Sequence, residues 1–287
     1  MLRALLAALL LLPGPAPAGN AEALQARHEA LRDKLAKNPF GRPLHIESNG
    51  GENAHQGDVY AVLDEPYGRV APALARPDNW CRILLLQVNV KRCEAPGTGA
   101  GPTVTAFITR EPRQDVQDAH RVTFDYELAT TGSDYVRVAL TARSGPLGTR
   151  DYRIRLEAAP LGAERTFLHL SYAYELGLLA RMTMNAYLAT SGRDKVGFSV
   201  AGHGADGEPR HVAGVRGVIE RGAMRHYLAI EALLESLEES PSQRLEARLR
   251  RWYAAITRYP QLREALGEEE YVRMKLGEAF VTERGGA

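Results

Sequence analysis

The side chains best suited to chemistry in this chain sit in a series of strand-like runs, and their parity limits what they can do. Tyr126, Tyr152, Tyr172 and Tyr174 all fall on the apolar side of the alternation in their runs. Each brings a large apolar surface and one hydroxyl that needs a partner. That suits either a ligand with an apolar body and a few polar groups or an ordinary aromatic core. Asp125 and His169 fall on the opposite, polar parity, so placing an acid–base pair in the same interior requires a bulge. Arg153 and Arg155 share that outer parity, and acidic neighbours such as Glu157 are their expected partners.

Other reaction classes lack the spacing they need. Gly197-Phe198-Ser199-Val200-Ala201-Gly202 is one residue too long for a nucleophile elbow and lies in a hairpin context. The eight histidines include no His-x-x-x-His pair, and His203 and His211 read as parts of an exposed turn. Gly97 to Pro102 is a loop and not a phosphate cradle, because Pro102 and the strand-like Val104 to Thr109 follow where a helix would have to begin. No catalytic residue, metal ligand or cofactor is assigned. Arg244, Arg248, Arg250, Arg251 and Trp252 offer a peripheral contact for anionic lipid headgroups. Against that, Glu246 interrupts the charge, and Trp252 shares its register with Leu245 and Leu249, which favours docking inward.

The chain carries 36 basic and 35 acidic residues, a net charge of +1. It lacks the basic surplus that a phosphate backbone demands, so nucleic acid is not an expected partner. Residues 1–21 read as a cleaved signal peptide: Arg3, an apolar run from Ala4 to Leu12, then Ala16-Pro17-Ala18, with cleavage after Ala18 or Ala21. A periplasmic or secreted location follows. Cys81 and Cys93 are the only cysteines, and an oxidising compartment favours their pairing. One continuous strand between them would hold their Cα atoms roughly 40 Å apart and leave two thiols. A short helix at Trp80–Leu86 followed by a returning strand at Val88–Cys93 would allow the bond.

These residues need elements to position them. Ala21 to Lys37 has Leu24, Leu31 and Leu35 at helical spacing and ends at Asn38-Pro39, while Ser48 to Gly57 reads as a loop. Asp58 to Leu63 reads as a strand, and Pro66 opens a helix ending at Arg76-Pro77. Four alternating runs follow between His120 and Glu175, joined by short turns, which predicts sequential antiparallel pairing with one wet face and one covered face. A helix at Leu176–Thr190 and strands at Val196–Ala201 and His211–Val215 precede the longest helix, Gly222 to Leu237, which carries Met224, Tyr227 and Ile230 on its apolar side. A further helix runs from Pro241 to Tyr259, and the charged, weakly periodic tail after Pro260 reads as helical in places.

The strand Asp58–Leu63, the Pro-started helix with Val70-x-x-x-Leu74, the Pro77-x-x-Trp80 turn, about six antiparallel strands and a long late helix resemble the START-like superfamily. That group also contains polyketide cyclases and birch-pollen-allergen-like proteins. The resemblance implies an α+β helix-grip fold, a curved antiparallel sheet of about six or seven strands wrapped on a long C-terminal helix, with extra helices. It divides the chain into a leader (1–21), an N-terminal helix and loop (22–56), a START-like domain (57–240) and a helical extension (241–287). It also implies that a hydrophobic, lipid-like small molecule is held between sheet and helix. The candidate lining is Tyr126, Leu140, Tyr152, Leu170, Tyr172, Tyr174, Met182, Met224, Tyr227 and Ile230. The alternatives are a cyclase- or hydrolase-like enzyme that needs Tyr126, Tyr172, His169 and Asp125 to converge, and a non-catalytic structural or partner-binding role for the C-terminal helices.

Overall fold

Period-two alternation makes the central strands, and short turns pair them in chain order. The computed structural model describes residues 20–51, 53–95, 101–190 and 192–284. Residues 1–19 of the expected leader and most of the glycine-rich loop lie outside the described residues. Six strands form a meander: β3 (Val90–Glu94), β4 (Thr103–Ile108), β5 (His120–Thr131), β6 (Val136–Ser144), β7 (Thr149–Leu161) and β8 (Arg165–Leu176). Before them in sequence, β1 (Leu44–Gly50) and β2 (Ala54–Leu63) form a hairpin, and β2 pairs with the last strand β8. The sheet has eight antiparallel strands in the order β1-β2-β8-β7-β6-β5-β4-β3. The eighth, β1, lies where a loop was expected. Its Ser48, Asn49 and Gly50 are turn formers, and edge pairing with Gly57, Gln56 and His55 overrides that preference.

Two short helices connect β2 to β3 across the sheet. In α2 (Tyr67–Leu74) and α3 (Pro77–Leu84), Val70, Leu74, Trp80 and Ile83 are buried. Pro77 starts α3 at the position where a missing N–H costs nothing, and Asp78 in its first turn pairs with Arg82 at 3.1 Å. Trp80 is fully buried, and its Nε1 donates to the Leu74 carbonyl at 2.9 Å. Cys81 of α3 and Cys93 of β3 are disulfide-bonded, with Cα atoms 5.3 Å apart. The helix-then-strand arrangement brings them together. Closing a loop of 12 residues stabilises by about 3 kcal/mol through the unfolded chain. Reduction, or Cys81→Ser with Cys93→Ser, is expected to lower the thermal midpoint by several degrees, read by circular dichroism; an unchanged midpoint contradicts this.

The grip is supplied by α5 (Gly214–Ser236), which crosses the concave face of the sheet. It begins eight residues before the expected Gly222, so His211–Val215 is not a strand. The preceding hairpin is only β9 (Val200–His203) and β10 (Pro209–His211). One row across the concave face runs Tyr126, Leu140, Ile154, Tyr172, Gly57, each the register partner of the next. At its end α5 comes closest to the sheet, and a Cβ on Gly57 would stand 3.1 Å from the Ile219 carbonyl. That close approach is what this glycine permits.

The flanking helices belong to the same core. Helix α6 (Arg244–Thr257) buries Leu249, Trp252 and Ile256, and α7 (Glu268–Arg284) buries Tyr271 against Trp252, with ring centroids 5.3 Å apart. Trp252 is therefore not presented to a membrane surface. Arg250 and Arg251 are engaged by Glu246, Glu268, Glu269 and Glu239, and Arg248 is buried. Among the described residues no helix is long and apolar enough to cross a membrane. On the convex face, α1 (Asn20–Ala36) lays Leu24, Leu31 and Leu35 over Tyr60, Val62, Tyr135, Ala159 and Phe167. The second face of the sheet is thus partly roofed where a wet face was expected. Asn38 ends α1, its amide donating to the carbonyls of Leu35 and Arg42.

Candidate functional site

A cavity of about 470 Å³ lies under the N-terminal half of α5. Strand parity aims Phe124, Tyr152, Ile154, Tyr172 and Tyr174 into it from the sheet. The α3–β3 turn adds Gln87 to Val90. The rim carries Leu147 and Met184, the latter from α4 (Leu178–Ala189), and α5 closes the cavity with Val218, Arg221, Gly222, Arg225 and His226. Leu147 is held at φ 58, a left-handed backbone that strains a branched residue, and it is 43% exposed at the rim.

The aromatic wall is one contiguous cluster. Tyr152 lies 5.4 Å from Tyr174 and 6.4 Å from Tyr172, and Tyr172 stacks on His226 at 4.8 Å. The ring of Tyr172 also sits where a Cβ of Gly222 would be, 2.7 Å from its Cε1, so α5 can approach only because this position is glycine. Tyr152 donates to Thr149 Oγ1 at 2.8 Å. The hydroxyls of Tyr172 and Tyr174 have no hydrogen-bond partner among the described residues and are not sealed from the cavity. Burial raises the pKa of both, so they are neutral donors. Burial also lowers the His226 pKa, and its Nδ1 meets the Gly222 carbonyl at 2.8 Å, which makes Nδ1 the protonated nitrogen and Nε2 an acceptor. The Gln87 side-chain nitrogen and Arg225 Nε are buried without a partner.

The ten candidate lining residues divide by position. Tyr152, Tyr172 and Tyr174 border the cavity. Leu140, Leu170, Met224 and Ile230 are fully buried in the packed core and do not reach it. Tyr126 also stays outside, its hydroxyl donating to the Ala75 carbonyl at 2.7 Å. Tyr227 turns away from it, donating to Glu231 at 2.7 Å and accepting from Arg42 at 2.8 Å. Met182 is 63% exposed on α4, which touches the molecule mainly through Ala180. Phe124 and Ile154 share the parity of the tyrosines and were legible from it. Arg221 was not, because three glycines between 214 and 222 hide the start of α5, and Arg225 and His226 lie in the expected helix but off the apolar stripe that marked its inner side.

The acid–base residues go to the other side of the sheet. His169 is gripped by Asp58 (Nε2 to Oδ1, 2.8 Å) and Glu157 (Nδ1 to Oε2, 3.2 Å), and Tyr135 donates to the second Glu157 oxygen at 2.5 Å. Glu157 is thereby taken by His169 and Tyr135, not by Arg153 or Arg155. Tyr60 stacks on the imidazole at 4.4 Å beneath α1. Asp125 is exposed on β5, so Tyr126, Tyr172, His169 and Asp125 do not converge. His211 turns its Nδ1 to the Phe198 carbonyl at 2.9 Å, and no group of metal-ligating side chains forms among the described residues.

This cluster has a pH signature. Burial opposes the His169 charge, but the hydrogen bonds and charges of Asp58 and Glu157 outweigh it, so its pKa is raised; the bond from His169 lowers that of Glu157. The raised imidazole stabilises fully below its ordinary value of about 6.5 and loses this as pH rises through the folded value. The depressed carboxylate stabilises above its ordinary value of about 4.5 and loses this as pH falls through the folded value. The stability difference between wild type and His169→Gln, from urea midpoints, is therefore expected to peak between about pH 4.5 and 6.5 and to shrink on either side. A difference independent of pH would refute this.

The strand order, the two helices between β2 and β3, and α5 laid in the curve of the sheet define an α+β helix-grip fold. No protein-family profile matches the chain, and no curated protein matches it in sequence. Solved structures similar to it include norcoclaurine synthase from Thalictrum flavum (14% identity, 65% of this chain and 91% of that one, TM-score 0.34). Another is the Zhui aromatase/cyclase from Streptomyces sp. R1128 (16% identity, 50% and 86%, TM-score 0.32). A protein from Arthrobacter aurescens is similar at 15% identity over 63% and 86%, with a TM-score of 0.33.

Proposed function

We propose that this is an exported protein that binds a hydrophobic small molecule in the cavity between the sheet and α5. The single observation that carries the proposal is the cavity itself: about 470 Å³, walled by Phe124, Tyr152, Ile154, Tyr172, Tyr174 and Val218, with two tyrosine hydroxyls left for a guest. A space of that size with an apolar wall and a few directed polar groups is what a ligand site requires. Export is supported by the leader-like residues 1–21 and by the Cys81–Cys93 bond, which persists in an oxidising compartment.

The test is titration with the neutral, polarity-sensitive dye N-phenyl-1-naphthylamine. Saturable binding at one site is expected, and Val218→Trp, which fills the cavity from α5, should weaken it at least about tenfold while the thermal midpoint holds. Unsaturable binding, or equal affinity in Val218→Trp, would count against the cavity. Mass spectrometry of a lipid extract from protein prepared in its native envelope would identify the class of guest.

A further inference from the structure

We propose that the ligand is an amphipathic anion, its apolar body against the tyrosine wall and its oxyanion head at the guanidinium of Arg221; this rests on the cavity reading above. Arg221 lines both the 470 Å³ cavity and a second pocket of about 350 Å³ next to it, which also carries Lys195, Arg225 and Arg263. The two spaces meet at Arg221 and Arg225, one turn apart on α5, with apolar wall on one side and basic wall on the other.

Charge accounting singles out Arg221. Arg225 is neutralised by Glu264 at 2.6 Å. Asp194, the acid in the smaller pocket, lies against Arg193 at 3.7 Å. Arg221 itself is only 5% exposed, and its Nη1 donates to the carbonyls of Lys195 (2.6 Å) and Val196 (3.3 Å). No carboxylate forms an ion pair with Arg221, Lys195 or Arg263 among the described residues. A buried cation satisfied only by backbone carbonyls still carries its desolvation cost, and an oxyanion in the fork of the guanidinium offsets it. Burial, with Arg225 alongside, holds the Arg221 pKa below the usual guanidinium value, the mark of a charge short of counter-charge. The unpartnered amide nitrogen of Gln87, more than nine-tenths buried in the cavity wall, gives a second polar anchor to an acceptor on the ligand body.

Two dyes of nearly the same shape test this: N-phenyl-1-naphthylamine and its sulfonated counterpart 1-anilinonaphthalene-8-sulfonate. The wild type is expected to bind the sulfonate at least about tenfold more tightly, with a salt dependence the neutral dye lacks. Arg221→Gln should erase that preference, lowering sulfonate affinity at least about tenfold more than that of the neutral dye. Because Arg221 also ties down residues 195 and 196, the exposed pair Lys195→Gln and Arg263→Gln provides a second measurement, expected to lower only sulfonate affinity by severalfold. Equal affinity for the two dyes in wild type, or equal weakening of both by Arg221→Gln, overturns the proposal while leaving the cavity reading intact. If neither dye binds, both fall. Inorganic phosphate at matched ionic strength separates the sources: displacement of the sulfonate at concentrations no higher than those at which it saturates would assign the pocket to a free oxyanion and overturn the amphipathic reading.

Discussion

Trp80→Ala is expected to destabilise the protein by about 3–5 kcal/mol, a large part of the margin that holds a domain folded. The indole is completely buried in the central core, between the helical connection and the sheet, so its removal leaves a cavity that neighbours at the end of a disulfide-tethered helix cannot readily close. The Leu74 carbonyl also loses its donor. Trp80→Phe separates the two effects, keeping most of the volume and giving up the hydrogen bond, and should cost about 1–2 kcal/mol. Urea denaturation with an unchanged slope is the measurement. A loss under 1 kcal/mol for the alanine variant would mean that the α2–α3 connection is not packed as described.

Glu220→Ala has the second large expected effect. Glu220 is completely buried on α5, yet its carboxylate has three donors: the backbone nitrogens of Phe198 (2.6 Å) and Ser199 (2.9 Å) and the Ser48 hydroxyl (2.6 Å). It therefore ties the segment after α4 and the edge strand β1 to the gripping helix. Removing the acceptor strands up to three donors, buried at Phe198 and half-buried at Ser199 and Ser48, at about 1–3 kcal/mol each, and partial entry of water should bring the net loss to about 3–5 kcal/mol. Glu220→Gln keeps one acceptor oxygen and should lose about half as much. Hydrogen exchange at the amides of 198 and 199 reads the effect locally. Slow exchange there in the alanine variant would show that something else holds the segment. The same segment supplies the carbonyls that hold Arg221, so loosening it should also weaken recognition of an anionic head.

Much of the fold was legible because it is written locally. The alternations at 122–128, 136–142 and 168–174 mark an inner and an outer side on each strand, and the structure keeps Phe124, Leu140, Ile154 and Tyr172 inside with His169 outside. Pro66 and the apolar spacing of 70 and 74 announced the first connecting helix, whereas Pro77, read as its stop and the start of a turn, opens the second. Where the reading failed, long-range contact had overruled local preference. Strand β1 is built partly from turn residues and exists because β2 offers it an edge. Helix α5 starts among glycines because the packing needs them, with Gly222 the only residue that leaves room for Tyr172.

The candidate site divides along the same line. From the sequence alone came the sidedness of Tyr126, Tyr152, Tyr172, Tyr174 and His169 and the helical seam of α5, since a period of 2 or 3.6 residues is a property of neighbours along the chain. The tertiary structure alone decided which inward residues meet empty space. Leu140 and Leu170 are as apolar and as inward as Ile154, but they lie in the packed core with Met224 and Ile230 of α5, whereas Ile154 borders the cavity with Tyr152, Tyr172 and Tyr174. It also decided which cation lacks a counter-charge. Arg225 finds Glu264 39 residues away while Arg221, one turn earlier, finds only carbonyls. Whether a charge is paired depends on distances between remote segments, and those distances exist only once the chain has folded.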